Sequence, residues 1–173
     1  MPRVKVTETT VYKFAELPPD IQQKALERLS YISVDFDWWD YVDEDAANIG
    51  LKITEFDIDR RSIDGHFTLS AEEVAANIIS QHGEIYETHK TARAFLDSHD
   101  PIYGDYMDEA SKNYESPALE QKLIALESEF LESLLGDYLK MLQDEYDYRT
   151  SREAIIDTID AHEYEFDING EIA

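Results

Sequence analysis

The run Leu51-Lys52-Ile53-Thr54-Glu55-Phe56-Asp57-Ile58-Asp59-Arg60, followed by Arg61-Ser62-Ile63-Asp64-Gly65-His66-Phe67-Thr68-Leu69-Ser70-Ala71-Glu72-Glu73, decides the fold class. Leu51, Ile53, Phe56 and Ile58 are interleaved with charged and polar residues, and the period slips once, at Glu55. Alternation with a period of two sets apolar side chains on one face of a strand. Phe67 and Leu69 alternate with His66 and Thr68 behind Asp64-Gly65, a turn signal. The stretch therefore predicts a β-hairpin from Leu51 to Leu69, with its loop near Arg60 to Gly65. Ser70-Ala71-Glu72-Glu73 then reads as a capping box, in which the Ser70 hydroxyl accepts from the Glu73 amide and Glu73 reaches back. The period changes from that of a strand to that of a helix within a few residues.

Upstream, Val4 to Phe14 is rich in β-branched and aromatic residues and reads as a strand. Pro18-Pro19 opens a helix carrying Ile21, Ala25, Leu26 and Leu29, and a second helix is expected from Phe36 to Ile49, ended by Gly50. Downstream, the capped helix carries Val74, Ile78 and Ile79 and should stop at Gly83. A helix from Glu87 to Ser98 is expected to be closed off by Pro101. Ser116-Pro117 starts a long helix with Leu119, Leu123, Leu126, Phe130, Leu134, Tyr138 and Met141/Leu142 at three- and four-residue spacing. Thr150-Ser151-Arg152-Glu153 reads as another capping box, and Tyr164 to Ile168 alternates as a returning strand before an Asn169-Gly170 turn. The expected class is α+β: a small antiparallel sheet packed with helices and a helical C-terminal half with one long helix. The expected division is an α+β domain over residues 1–100 and a helical extension over residues 101–173.

Composition restricts function. The chain has 39 Asp and Glu against 15 Lys and Arg, a net charge of −24 over 173 residues. From Asp35 to Asp59 there are nine acidic residues and one basic one; from Asp97 to Tyr148 there are 14 against three. Such a surface repels nucleic acid and anionic lipid and attracts basic protein surfaces. Even the most basic region, Met1 to Val34, has only five basic residues to four acidic ones, so direct duplex binding is not expected. No Cys is present, no apolar run approaches a membrane span, and the N-terminus lacks the apolar core of a signal peptide. A soluble protein of a reducing cytoplasm is the expectation.

Motif chemistry is sparse. The chain has no phosphate-loop, dinucleotide-fold or nucleophile-elbow pattern, and its five His residues lack zinc-ligand spacing. The cluster Asp35, Asp37, Asp40, Asp43, Glu44 and Asp45 lacks the glycine and terminal Glu of a calcium loop, and a solvated helix face explains it more simply. Asp57 and Asp59, with His66 across the hairpin, form either an acid/base or metal pair or the charged guard of a strand edge, with Arg60-Arg61 neutralising them locally. The stripe on the long helix is either a dimer seam or core. No cofactor is expected.

Several segments together are familiar. Phe14, Glu16 and Leu17 precede a Lys24-Ala25 helix; Asp37-Trp38-Trp39, Val42 and Glu44-Asp45-Ala46 follow. Gly50-Leu51, Ile53, Phe56-Asp57-Ile58-Asp59-Arg60, then Phe67-Thr68 leading to Ala71, Glu73, Val74 and Ala75, complete the set. Over about residues 12–97 the chain resembles small acidic proteins encoded by phages and prophages, which where labelled are loosely called antitoxin-like. The resemblance implies a phage or mobile-element setting and carries over no catalytic residue.

The sequence thus points to an acidic protein that binds and inhibits a host defence or nucleic-acid-handling protein through a basic surface, with DNA mimicry as the mode. Candidate contact residues are Asp35, Asp37, Asp40, Asp43, Glu44, Asp45, Glu127, Glu132, Asp137, Asp144, Glu145 and Asp147. One alternative is a protein that sequesters a small signalling ligand such as a nucleotide, which requires Arg3, Lys5, Arg28, Arg60, Arg61 and Arg93 to converge. Another is a metal-dependent enzyme built on Asp57, Asp59 and His66.

Overall fold

The computed structural model describes residues 1–173 and contains α1 (Pro19–Arg28), α2 (Asp40–Ile49), β1 (Leu51–Asp57), β2 (Ser62–Phe67), α3 (Ala71–Gln81), α4 (Glu87–Ser111), α5 (Pro117–Arg149) and α6 (Arg152–Ala161). The class is α+β, with a two-stranded antiparallel sheet. Two compact units form, residues 1–38 with 144–173 and residues 39–143. The boundary expected at residue 100 falls inside α4.

In the unit of residues 39–143, α2 ends where Gly50 turns left-handed at φ 95°, a conformation that costs a side-chain-bearing residue more. The hairpin register pairs Leu51 with Phe67 and Asp57 with Ser62, and the irregularity between Ile53 and Glu55 is a β-bulge where the alternation slips. The turn is not at Asp64-Gly65. It lies at Ile58 to Arg61, closed by an Arg61 amide to Ile58 carbonyl bond of 3.3 Å, and Gly65 sits within β2 opposite Ile53. A Cβ at Gly65 would stand 2.5 Å from the Lys52 carbonyl oxygen and 2.9 Å from Leu135 Cδ2. That glycine serves close packing of strand and helix rather than a turn.

The capping box forms: the Glu73 amide donates to Ser70 Oγ at 3.2 Å and the Ser70 amide to Glu73 Oε2 at 3.0 Å. Pro101 does not end α4, which runs on to Ser111. Phe95 and His99 are buried and Ile102 and Tyr106 half-buried at the spacing of one helix face, so inward packing continues past the proline. The bond lost at Pro101 frees the Asp97 carbonyl, and both residues are exposed to water. Ser116 caps α5 by accepting from the Leu119 amide at 3.3 Å. On α5, Leu123, Phe130, Leu134, Tyr138 and Leu142 are buried within this single chain, with Phe130 stacked 4.4 Å from Phe95. The stripe is core, so it is not available as a dimer seam.

The unit of residues 1–38 and 144–173 is built on Phe14, Leu17, Ala25, Leu26, Ile155, Ile159 and Phe166. The strand expected over Val4–Phe14 does not form; Val4 and Val6 are 91% and 81% exposed, and no neighbouring edge gives their β-branched side chains a surface to pack on. Only Tyr12 bridges, exchanging backbone bonds of 2.8 Å with Phe166. The returning strand at Tyr164–Ile168 shrinks to Phe166, which also bridges Ile172. The cap of α6 is Ser151, which accepts from the Ala154 amide at 3.2 Å, one residue later than the Thr150 box; the Thr150 hydroxyl donates back to the Tyr146 carbonyl instead.

Candidate functional site

The carboxylates of the expected contact surface divide by environment. In the unit of residues 1–38 and 144–173, Asp35, Asp37, Asp144 and Asp147 are exposed, while Glu145 is partly buried and paired with Arg149. Arg149 also lies over the Phe36 ring at 5.3 Å. In the unit of residues 39–143, Asp40, Glu44 and Glu132 are exposed. Asp43, Asp45, Glu127 and Asp137 are half-buried.

The half-buried set has a different chemistry from a solvated face. Burial pushes the Asp43 carboxyl above its usual range, with Lys52 opposing and Asp40 adding to the shift. Burial also raises Asp137, against the 2.6 Å hydrogen bond it accepts from the Thr91 hydroxyl. Glu127 is raised by burial and by the charge of Glu72, with His99 opposing. A carboxyl whose folded pKa lies above its unfolded one favours the fold when protonated, and that contribution is lost as pH rises through the folded pKa. Asp137→Asn keeps an acceptor for Thr91 without the charge. It should therefore raise the thermal midpoint at pH 7 relative to wild type, and the difference should vanish below pH about 3, where the carboxyl is protonated in both states.

Asp45 belongs to a network that joins four helices, α2 to α5. Tyr138 of α5 donates its hydroxyl to Asp45 Oδ2 at 2.7 Å, and His82 Nε2, at the end of α3, lies 3.5 Å from Asp45 Oδ1. His82 Nδ1 is 2.7 Å from the Thr88 hydroxyl in the first turn of α4. Burial, and then the bond to Asp45, hold the Tyr138 phenol far above its usual pKa. The order Thr88–His82–Asp45 has the form of a nucleophile, base and orienting acid. Thr88 is 0% exposed, however, so its hydroxyl cannot meet a substrate carbonyl. The network instead forms one wall of a cavity of about 290 Å³ whose other lining includes Tyr41, Tyr86 and Met141.

The alternative centre on Asp57, Asp59 and His66 is not assembled. The register sets His66 opposite Lys52, at the far end of the hairpin from Asp57, and Asp59 lies in the turn beyond β1. Asp57 instead accepts from the Arg60 amide at 2.9 Å and pairs with its side chain at 3.7 Å. The cations needed for an anionic ligand have other placements. Arg28 pairs with Glu171 at 3.6 Å, Arg3 and Lys5 lie on the exposed N-terminal segment, Arg61 is in the hairpin turn, and Arg93 is exposed on α4. The helix stop at Gly83 was legible in the sequence, whereas the joining of His82 to Thr88, Asp45 and Tyr138 follows only from the packing of α2 to α5. Compared with protein-family models, curated proteins and solved structures, the chain matches none. No helix is long and apolar enough to cross a membrane.

Proposed function

We propose that this chain is a phage or mobile-element protein that acts in the bacterial cytoplasm by binding a basic surface of a host defence or nucleic-acid-handling protein and inhibiting it as a DNA mimic. The observation that carries this reading is the face Asp144, Asp147 and Tyr148 at the end of α5, set by i, i+3, i+4 spacing. Both carboxylates are exposed, and the Tyr148 side chain beside them is 57% exposed. Charge alone serves solubility, but a large aromatic side chain kept in water among charges has the composition of a docking surface. Asp40, Tyr41 and Glu44 on α2 likewise combine two exposed carboxylates with an exposed tyrosine in the other unit, Tyr41 being 51% exposed.

Neutralising the α5 face tests the reading. Tagged wild-type chain should retain a basic nucleic-acid-binding protein from host lysate, and duplex DNA should displace it. Asp144→Asn/Asp147→Asn with Tyr148→Ala should retain at least tenfold less. Equal retention by both chains, or a partner indifferent to DNA, contradicts it.

The small-ligand reading has one observation in its favour, the cavity flanked by Tyr41 and Tyr86. Its lining carries Asp45 and His82 and no Lys or Arg, so a neutral or cationic planar molecule fits it better than a nucleotide's phosphates.

A further inference from the structure

Glu72 in the first turn of α3, His99 in the middle of α4 and Glu127 on α5 bring one ligand atom each to within 4.8 Å of one another. All three residues belong to the unit of residues 39–143. Three features separate this cluster from the general acidity of the surface. First, His99 is 1% exposed, and its Nε2 is buried without a hydrogen-bond partner. Glu72 Oε1 is only 3.1 Å away, yet it lies off the direction in which an Nε2–H would donate. A buried polar atom left in that state is costly unless something else satisfies it.

Second, the opposite side of the imidazole is held. His99 Nδ1 stands 3.4 Å from Asp100 Oδ1, and the ring is stacked on Tyr103 at 5.5 Å and packs at a tilt against Phe95 at 4.8 Å. With the proton on Nδ1, facing the Asp100 carboxylate, the Nε2 lone pair is left for an ion that the neighbouring Glu72 and Glu127 oxygens can also reach, which is the arrangement that orients metal-binding histidines. Third, carboxylate oxygens of Glu72 and Glu127 lie within 4.8 Å of each other and of the imidazole, and Glu127 is partly buried, so their mutual repulsion calls for a positive charge between them.

We propose that Glu72, His99 and Glu127 form a binding site for a first-row divalent transition-metal ion such as Zn²⁺ or Mn²⁺. An ion about 2.1 Å from both His99 Nε2 and Glu72 Oε1 would see them at an angle of about 95°, given their 3.1 Å separation. Glu127 closes the third position by a small rotation of its carboxylate, since ligand atoms around such an ion lie no more than about 4.2 Å apart. The imidazole nitrogen selects against Ca²⁺ and Mg²⁺, which take all-oxygen sets. Glu72 is 39% exposed, so the remaining coordination positions open to water. Bound there, the ion ties α3, α4 and α5 together.

The test is direct titration of chelator-treated protein with Zn²⁺ and, separately, Mn²⁺, read by calorimetry and by the thermal midpoint. Wild type should bind one ion per chain in a distinct tight class, and the midpoint should rise with metal. Glu72→Gln and Glu127→Gln should each weaken that class at least roughly tenfold and abolish the rise. Glu129→Gln, an exposed carboxylate outside the cluster, should leave both unchanged. Glu72 is half-exposed, so its substitution does not put folding at risk. Wild-type binding indistinguishable from that of the Glu72→Gln/Glu127→Gln double variant assigns any uptake to dispersed surface carboxylates and overturns the site. That outcome would leave the partner-binding reading intact, because the α5 face at Asp144 to Tyr148 takes no part in the cluster.

Discussion

Tyr138→Ala should destabilise the protein by about 3–5 kcal/mol in urea unfolding, the range for deleting a buried aromatic ring. Tyr138 is 0% exposed in the core of the unit of residues 39–143, and its hydroxyl reaches Asp45 at 2.7 Å. The substitution removes the ring, opens a cavity and strips Asp45 of its donor at once. Tyr138→Phe separates these effects. It keeps the ring and should cost only about 1–2 kcal/mol, because Asp45 is 44% exposed at its side chain and water can replace the phenol. A Phe variant as unstable as the Ala variant would assign the stabilisation to the polar network rather than to packing.

Gly65→Ala should be nearly as damaging, by about 2–3 kcal/mol, although it adds a single methyl group. The new Cβ would meet the Lys52 carbonyl oxygen at 2.5 Å, which is backbone of the paired strand and cannot swing away. Relief requires the hairpin to part from itself or from Leu135 on α5. Gly104→Ala on α4 and Gly136→Ala on α5 are the same chemical change in open space, with nothing within 4 Å of the added atom. Each should stabilise by about 0.5–1 kcal/mol, because alanine gives up less chain entropy in a helix. One substitution type thus gives opposite signs at different sites, and melting temperatures resolve it. A neutral Gly65→Ala would mean that the strand carries slack the structure does not show.

These sites also mark what the sequence made legible. The hairpin, its slip at Glu55, the Ser70 cap, the left-handed Gly50 and the start at Ser116 were readable because each is a local rule acting over a few residues. Gly65 was misplaced because a glycine required by a distant helix is spelled the same way as one required by a turn. Pro101 misled because its cost is local, whereas the continued inward face of Phe95, His99, Ile102 and Tyr106 depends on what lies opposite. Val4 to Phe14 has strand composition but no partner edge. The acidic character was plain from composition, but which carboxylates face water was not: Asp45 and Asp137 accept hydrogen bonds from Tyr138 and Thr91 on other helices, and Asp43 and Glu127 are half-buried. Glu72, His99 and Glu127 come from three helices and share no spacing, so no motif could announce them.

The proposed docking of exposed carboxylates and aromatic rings on a basic host protein is an electrostatic association and so depends on salt. Its most direct test is the affinity of the chain for that purified partner at about 0.1 M and about 1 M salt, where the screening length falls from about 10 Å to about 3 Å. Affinity should fall at least tenfold at the higher salt. An affinity unchanged between the two would contradict it.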